Sequence, residues 1–300
     1  MRTGARNLPM REEETAGLGF EYVEFNWWEE DLLKTVSQIV KGKIGCDMPL
    51  AGAENVDTAI ACLRPTLTRW EVDRFESLGK DTSVCMEQTC REIAPGMSEL
   101  EVAARLLQKL YPLNIRAAVL LVGADERVLK YRHPVATAKK IEKYAMIIVC
   151  AERGGLIVPT TRLVHFGPLP PDLKRRYSAL RKVAAVLNLS SRPGTTIGSA
   201  LAAAVKGYEE AGFAGEWKNH YQGGVCGYAA REVNASPGGT FSFAVNQVLG
   251  WNPTITGTKI EDAFVIGKDE LRNITLTPSW PSSEEKVAEG AITLPDILKL

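Results

Sequence analysis

The sequence has no net charge: 36 lysines and arginines balance 36 aspartates and glutamates among 300 residues. No chain-wide field draws it toward nucleic acid or anionic lipid, so neither is expected as a partner. It has no run near the roughly eighteen apolar residues that a membrane helix needs. Its opening, MRTGARNLPMREEETAGLGF, holds charges and glycines but no apolar h-region, and a cytoplasmic protein is expected. The six cysteines, Cys46, Cys62, Cys85, Cys90, Cys150 and Cys226, form no CxxC pair or knuckle spacing. A zinc ribbon and a disulfide scaffold are not indicated, and reduced, mostly buried thiols remain. Histidine is scarce, with three in the chain, His133, His165 and His220.

What is present is 45% hydrophobic content with 24% charge, the balance of a globular chain with a sizeable core. The first residues are uneven: an aromatic, acidic patch (FEYVEFNWWEEDLL), a helical run LLKTVSQIV, a strand-like KIGCDMPL and a glycine-bearing link. They read as a small α/β segment over residues 1–64. From Leu67 the texture changes to long amphipathic helices alternating with short apolar strands, and a main domain is expected over 65–300.

Within that domain Pro95-Gly96 breaks a long helix, and Ser98 with Glu101 forms a capping box for the next one. The arrangement returns at Pro193-Gly194, where a threonine pair opens another helix. Strand-like segments follow each copy: AAVLLVG and YAMIIVCA, then TFSFAVNQVL and EDAFVIG. Two copies of helix, helix and strands imply a pseudo-symmetric α+β domain with a ligand cleft between its halves.

The motifs APGMSELEV, RHP at 132–134, TTRLVHFGPLP and GTKIEDAFVI occur in that order. Together they resemble the M24 superfamily of creatinases, Xaa-Pro aminopeptidases, prolidases and methionine aminopeptidases, over about Leu67 to Leu300. The resemblance implies a duplicated "pita-bread" catalytic domain, preceded by a shortened end of a small N-terminal α/β domain. It also implies a dinuclear metal centre held by two aspartates, a histidine and two glutamates, whose anionic oxygens offset the repulsion between two divalent ions and help them acidify a shared water.

Against that pattern, His220 stands at the histidine ligand, although Asn219 and Tyr221 replace flanking glycines, and Glu261 stands at the last glutamate. The first aspartate falls near Cys150 and the second within VPTT, yet no aspartate occurs between Asp125 and Asp172. The other glutamate is Asn252, which offers one neutral carbonyl oxygen. Arg231, before Glu232, replaces the second active-site histidine with a permanent cation. No dinuclear centre and no cofactor are expected. If any metal binds, a single zinc or manganese would take His220, Glu261 and Cys150. A nucleophilic Cys150 or Cys226 beside His220 is chemically possible, but nothing in the spacing favours it.

The resemblance makes His220, Glu232 and Glu261 candidate catalytic groups and His133 a substrate contact. Tyr228, Arg231, Glu232, Trp251 and Asn252 are expected to converge on the cleft, with Tyr228, Arg231 and Asn252 binding ligand. Gly223, Gly224 and Gly227 either let a ligand approach the backbone or serve a bulge. Arg162 reads as a structural ion-pair partner. Two readings follow. One is a hydrolase of the aminopeptidase, prolidase or creatinase kind, acting on a small peptide-like or amidine or amide substrate without the usual metals; within this superfamily creatinase works by metal-free histidine and glutamate chemistry. The other is a non-catalytic protein that holds a short peptide or small molecule. A homodimer is a further expectation, with FNWW as one candidate interface.

Overall fold

A computed structural model describes residues 12, 13, 15–23, 28 and 32–300, and the chain divides into two units, Met1–Leu63 and Arg64–Leu300. Residues 24–27 of the aromatic patch lie outside the described residues. The first unit carries helix α1 (Leu32–Ile39), the two-residue strands β1 (Gly45–Cys46) and β2 (Glu54–Asn55), paired in parallel, and helix α2 (Asp57–Leu63). The strand expected over KIGCDMPL is thus only Gly45 and Cys46, because turn and bend residues follow at once. Among its described residues no apolar side chain is buried.

The second unit begins with α3 (Arg69–Glu92), where Thr68 and Glu71 form a capping box. Its buried positions Val72, Phe75, Leu78, Thr82, Cys85, Met86, Thr89 and Cys90 follow the three-to-four spacing of a helix with one face in a core. Ala94 precedes a proline and cannot easily continue the helix. The next, α4 (Glu99–Leu110), starts at the expected box: Ser98 N donates to Glu101 Oε2 at 2.6 Å, and Glu101 N donates to Ser98 Oγ at 3.2 Å. Strand β3 (Arg116–Ala124), the short helix α5 (Glu126–Lys130) and the long hairpin of β4 (Tyr144–Arg153) and β5 (Leu156–His165) complete the first half.

The second half repeats the order with α6 (Pro171–Ser190) and α7 (Ile197–Glu210), the latter opened by a Thr196–Ser199 capping box. Then come β6 (Gly223–Cys226), β7 (Val233–Asn234), β8 (Val248–Trp251), β9 (Thr254–Ile255), β10 (Thr258–Lys259), β11 (Phe264–Ile266) and β12 (Leu271–Asn273). The hairpin β13 (Ser282–Val287) and β14 (Gly290–Pro295) leads to β15 (Leu298–Lys299). A single strand was expected over TFSFAVNQVL. Instead Ser242 makes an isolated bridge to Thr196, Asn246 takes a left-handed φ of 64°, and the strand starts only at Val248. That left-handed residue is a turn, and a turn ends a pleat.

Two main sheets result, ordered β15-β5-β4-β3 and β12-β11-β8-β6-β7. β4 is buried on both faces: Ala145, Ile147, Val149 and Ala151 enter the core formed with α3 and α4, while Tyr144, Met146 and Ile148 enter the core formed with α6 and α7. Strand alternation thus lets one segment serve two cores. The sheets meet at an antiparallel bridge in which Thr161 N donates to Glu261 O at 2.9 Å. The α+β, duplicated architecture matches the sequence reading. Among the described residues no helix is long and apolar enough to cross a membrane.

Candidate active site

Next to that bridge sits a buried carboxylate between two cations. Glu261 Oε1 accepts from an Arg231 NH2 group at 2.9 Å, and Oε2 accepts from the Thr161 hydroxyl at 2.7 Å and lies 3.2 Å from Lys259 Nζ. All three ionic side chains are 2–4% exposed. Lys259 closes β10 and Glu261 makes the isolated bridge to Thr161 two residues on, which sets the ammonium 3.2 Å from the carboxylate. Burial alone would raise the Glu261 carboxyl, but Lys259, Arg231 and Thr161 outweigh it and hold it down to about 2.

The two histidines of the site come from opposite halves, with His220 Nε2 and His133 Nε2 3.1 Å apart. One ring nitrogen donates and the other accepts, so the accepting ring is neutral. Burial, then the charge of Lys259, pushes His220 down to about 3 and also lowers His133. His133 is exposed, whereas His220 is buried and its Nδ1 has no hydrogen-bond partner. The neighbouring Arg132 fixes their approach. Its NH2 group donates to Glu216 at 2.7 Å and to the Thr256 hydroxyl at 2.9 Å, and Glu216 opens the 3-10 turn Glu216–Asn219 that ends at His220.

Cys150 and Pro159 are register partners on β4 and β5, so a thiol and a residue with no side-chain donor face each other in the region assigned to the aspartates. Burial pushes the Cys150 thiol up to about 12 and also raises Cys226, which leaves both protonated and poorly suited as nucleophiles or ligands. Asn252 is 1% exposed with Oδ1 unpartnered, and its backbone N donates to Gln222 O at 3.0 Å.

Other expected members of the site are placed elsewhere. Glu232 accepts from Ala229 N at 3.0 Å and pairs with Arg64 at 3.2 Å, which turns its carboxylate into a brace for its own loop. Tyr228 donates its hydroxyl to Glu71 on α3. Trp251 is buried in the second core and donates to the Ser191 hydroxyl at 3.0 Å. Of the five residues expected to converge, Arg231 and Asn252 do so. The loop glycines serve strand packing: a Cβ on Gly224 would lie 1.9 Å from Val233 O, and one on Gly223 2.3 Å from Gly250 O. A Cβ on Gly227 would meet the Glu232 side chain. Arg162 is a structural partner, pairing with Asp262 at 2.9 Å. His165 caps its own turn through the Gly167 carbonyl.

The metallopeptidase family M24 model matches residues 73–268, about two thirds of the sequence. The chain belongs to this family. Among solved structures, the fold is similar to prolidase from Thermococcus sibiricus, at a TM-score of 0.76 and 18% identity over 98% of this chain and 83% of that one. It is also similar to X-Pro aminopeptidase from Thermotoga maritima, at 0.72 and 17% over 89% and 78%. Prolidase from Pyrococcus furiosus follows at 0.69 and 20% over 75% and 69%. No curated protein matches the sequence. Identities this low speak for the pita-bread fold of the M24 peptidases and not for a shared substrate.

The residues present do not fit the dinuclear centre of the family. Both oxygens of Glu261 are already taken by cationic or hydroxyl donors, and two ammonium-type charges beside it repel a divalent ion by the same force that attracts it to a free carboxylate. A single ion on His220, Glu261 and Cys150 meets the same obstacle, with a protonated thiol as its third ligand. Among the described residues no group of three or more His, Cys, Asp or Glu side chains is placed to hold a metal. Lys259, Thr161 and the Arg132–Glu216 clamp were not found from the sequence. The signal for Lys259 is a basic residue two places before Glu261.

Proposed function

We propose that this M24 chain acts on a small peptide-like, amide or amidine ligand at the His133–His220–Glu261 site, without the dinuclear metal centre. The observation that carries the reading is the 3.1 Å contact between the exposed His133 and the buried His220. Two neutral imidazoles in a hydrogen bond can pass a proton between solvent and a bound ligand, which is the requirement for general acid–base work. Glu261, held ionised, fixes Arg231 and Lys259 where charge develops on a reacting carbonyl or amidine.

The test is turnover of Xaa-Pro dipeptides and of guanidino compounds, with and without chelator, by the native chain and by His220→Ala. Turnover unaffected by chelator and about 10²- to 10⁴-fold lower in the variant is expected. Stoichiometric metal with chelator-sensitive cleavage would overturn the reading. A second reading, a non-catalytic binding protein, is favoured by one observation: Glu232, the other glutamate expected to be catalytic, is committed to Arg64 and Ala229. Binding of a dipeptide with no turnover of either substrate class would select it.

A further inference from the structure

The charges of the site do not balance. Arg132 is paired with Glu216, Arg162 with Asp262, and Arg64 with Glu232. Arg231 and Lys259 share one carboxylate, Glu261, and among the described residues neither has another within ion-pair distance. The thiols of Cys150 and Cys226 are held protonated by burial and an imidazole carries no negative charge, so among the described residues of the cluster no other carboxylate pairs with these two cations. One positive charge is therefore left over among side chains 2–4% exposed. An uncompensated buried ion is costly, and a buried charge left without a partner is a candidate place for a ligand of opposite charge.

A second observation points the same way. The Nε–H of Arg231 and His220 Nδ1 are both buried and both lack a hydrogen-bond partner, and Arg231 Nε is a donor that cannot be silenced by losing its proton. The site thus holds a spare cationic charge together with unused hydrogen-bonding capacity. Its polarity is the reverse of a metal centre.

We propose that the position where the family carries cations binds an anionic group of the ligand, a carboxylate, at Lys259 and Arg231 beside His220. One excess positive charge matches a singly charged carboxylate, while a phosphate dianion would over-compensate it. The inference rests on the previous reading only in taking the ligand to enter at the His220 site. It does not require turnover.

The chain's three histidines make their rings resolvable by long-range proton–nitrogen NMR, and His165, bonded to its own Gly167 carbonyl, is an internal control. At constant ionic strength set with chloride, sodium propionate, propionamide and inorganic phosphate would each be titrated into the native chain. Saturable shifts of His220 and His133 with propionate, absent with propionamide and absent at His165, are expected. Lys259→Met should weaken the propionate response about tenfold or more and Lys259→Arg should retain it, as loss of one charged partner predicts. An equal response to propionamide, no saturation, or a response to phosphate alone overturns the proposal. If Lys259→Met does not fold, Lys259→Arg and the propionate-to-propionamide difference in the native chain still decide. Turnover of test substrates without a propionate response sinks this inference and leaves the proposed function; the opposite pattern does the reverse.

Discussion

In the first half of the main unit, Gly96 N donates to Ile141 O, Glu99 N to Lys139 O and Leu100 N to Thr137 O; in the second half Gly194 N donates to Phe243 O, Ile197 N to Phe241 O and Gly198 N to Gly239 O. The same three bonds tie the start of the second helix to a returning segment in each copy. The side chains on this shared scaffold differ. Glu99, fully buried, takes donors from Ala124 N, Thr137 N and Arg127, whereas Ile197 at the matching place is an apolar member of the second core. Toward the shared site the asymmetry reverses. The first half brings neutral groups, His133, Cys150 and Thr161, and the second brings Arg231, Lys259 and Glu261. The two halves share a backbone plan, and they divide the site between them: the buried charges come from the second half, while each half supplies one histidine.

The largest effect is expected where the second half holds its charges. Glu261→Ala leaves two cations buried without a carboxylate and should cost about 3–5 kcal/mol in urea unfolding. Adding Lys259→Met should recover part of that loss, because the two positions are coupled. Additive losses would mean that the cluster is not one unit. Making the first half resemble the second through Glu99→Ile should cost about 3 kcal/mol, since Arg127 and two backbone donors lose their acceptor. A neutral outcome would show that the buried pair is dispensable scaffold.

A pH profile separates the halves more finely. The folded value of His220 is lowered to about 3, so between its ordinary value near 6.5 and about 3 the unfolded chain binds the extra proton. Its contribution to stability is present above pH 6.5 and is lost as pH falls through that window, with a slope approaching 1.4 kcal/mol per pH unit, a limit of roughly one proton. Glu261, held to about 2, adds loss in the same direction below pH 4.5. His220→Gln should flatten the upper part of the profile, and a profile as steep as that of the native chain would contradict the assignment.

The smallest effect tests the duplication itself. Gly96 and Gly194 turn with φ of 93° and 88°, and neither has an atom within 4 Å of an added Cβ. Gly96→Ala and Gly194→Ala should then each cost about 1–2 kcal/mol from backbone strain alone. Thermal unfolding giving unequal costs would mean that the two turns are not equivalent.

The parts legible in the sequence were those set by local chemistry. Capping side chains, Pro-Gly turns and apolar strands act over a few residues, and the Ser98–Glu101 box and strand β4 follow from them, whereas β5, interrupted by Pro159, was not legible as a strand. What the sequence did not show depends on partners far along the chain. Glu232 is drawn off by Arg64, and Tyr228 by Glu71. His133 meets His220 across the two halves, beside the contact that joins Arg132 to Glu216. Lys259 stands two places before Glu261 in the sequence, but its pairing with that carboxylate depends on a fold that buries both side chains.

The central claim is that fixed cations stand where the family's metals would, and equilibrium metal binding tests it most directly. The purified chain would be incubated with excess zinc, manganese or cobalt, passed through a desalting column, and assayed for bound metal and for its melting temperature. The account predicts far less than one ion per chain and no rise in melting temperature, because a group that binds the folded state must stabilise it. Two ions per chain, with a melting temperature that climbs with metal concentration, would contradict it.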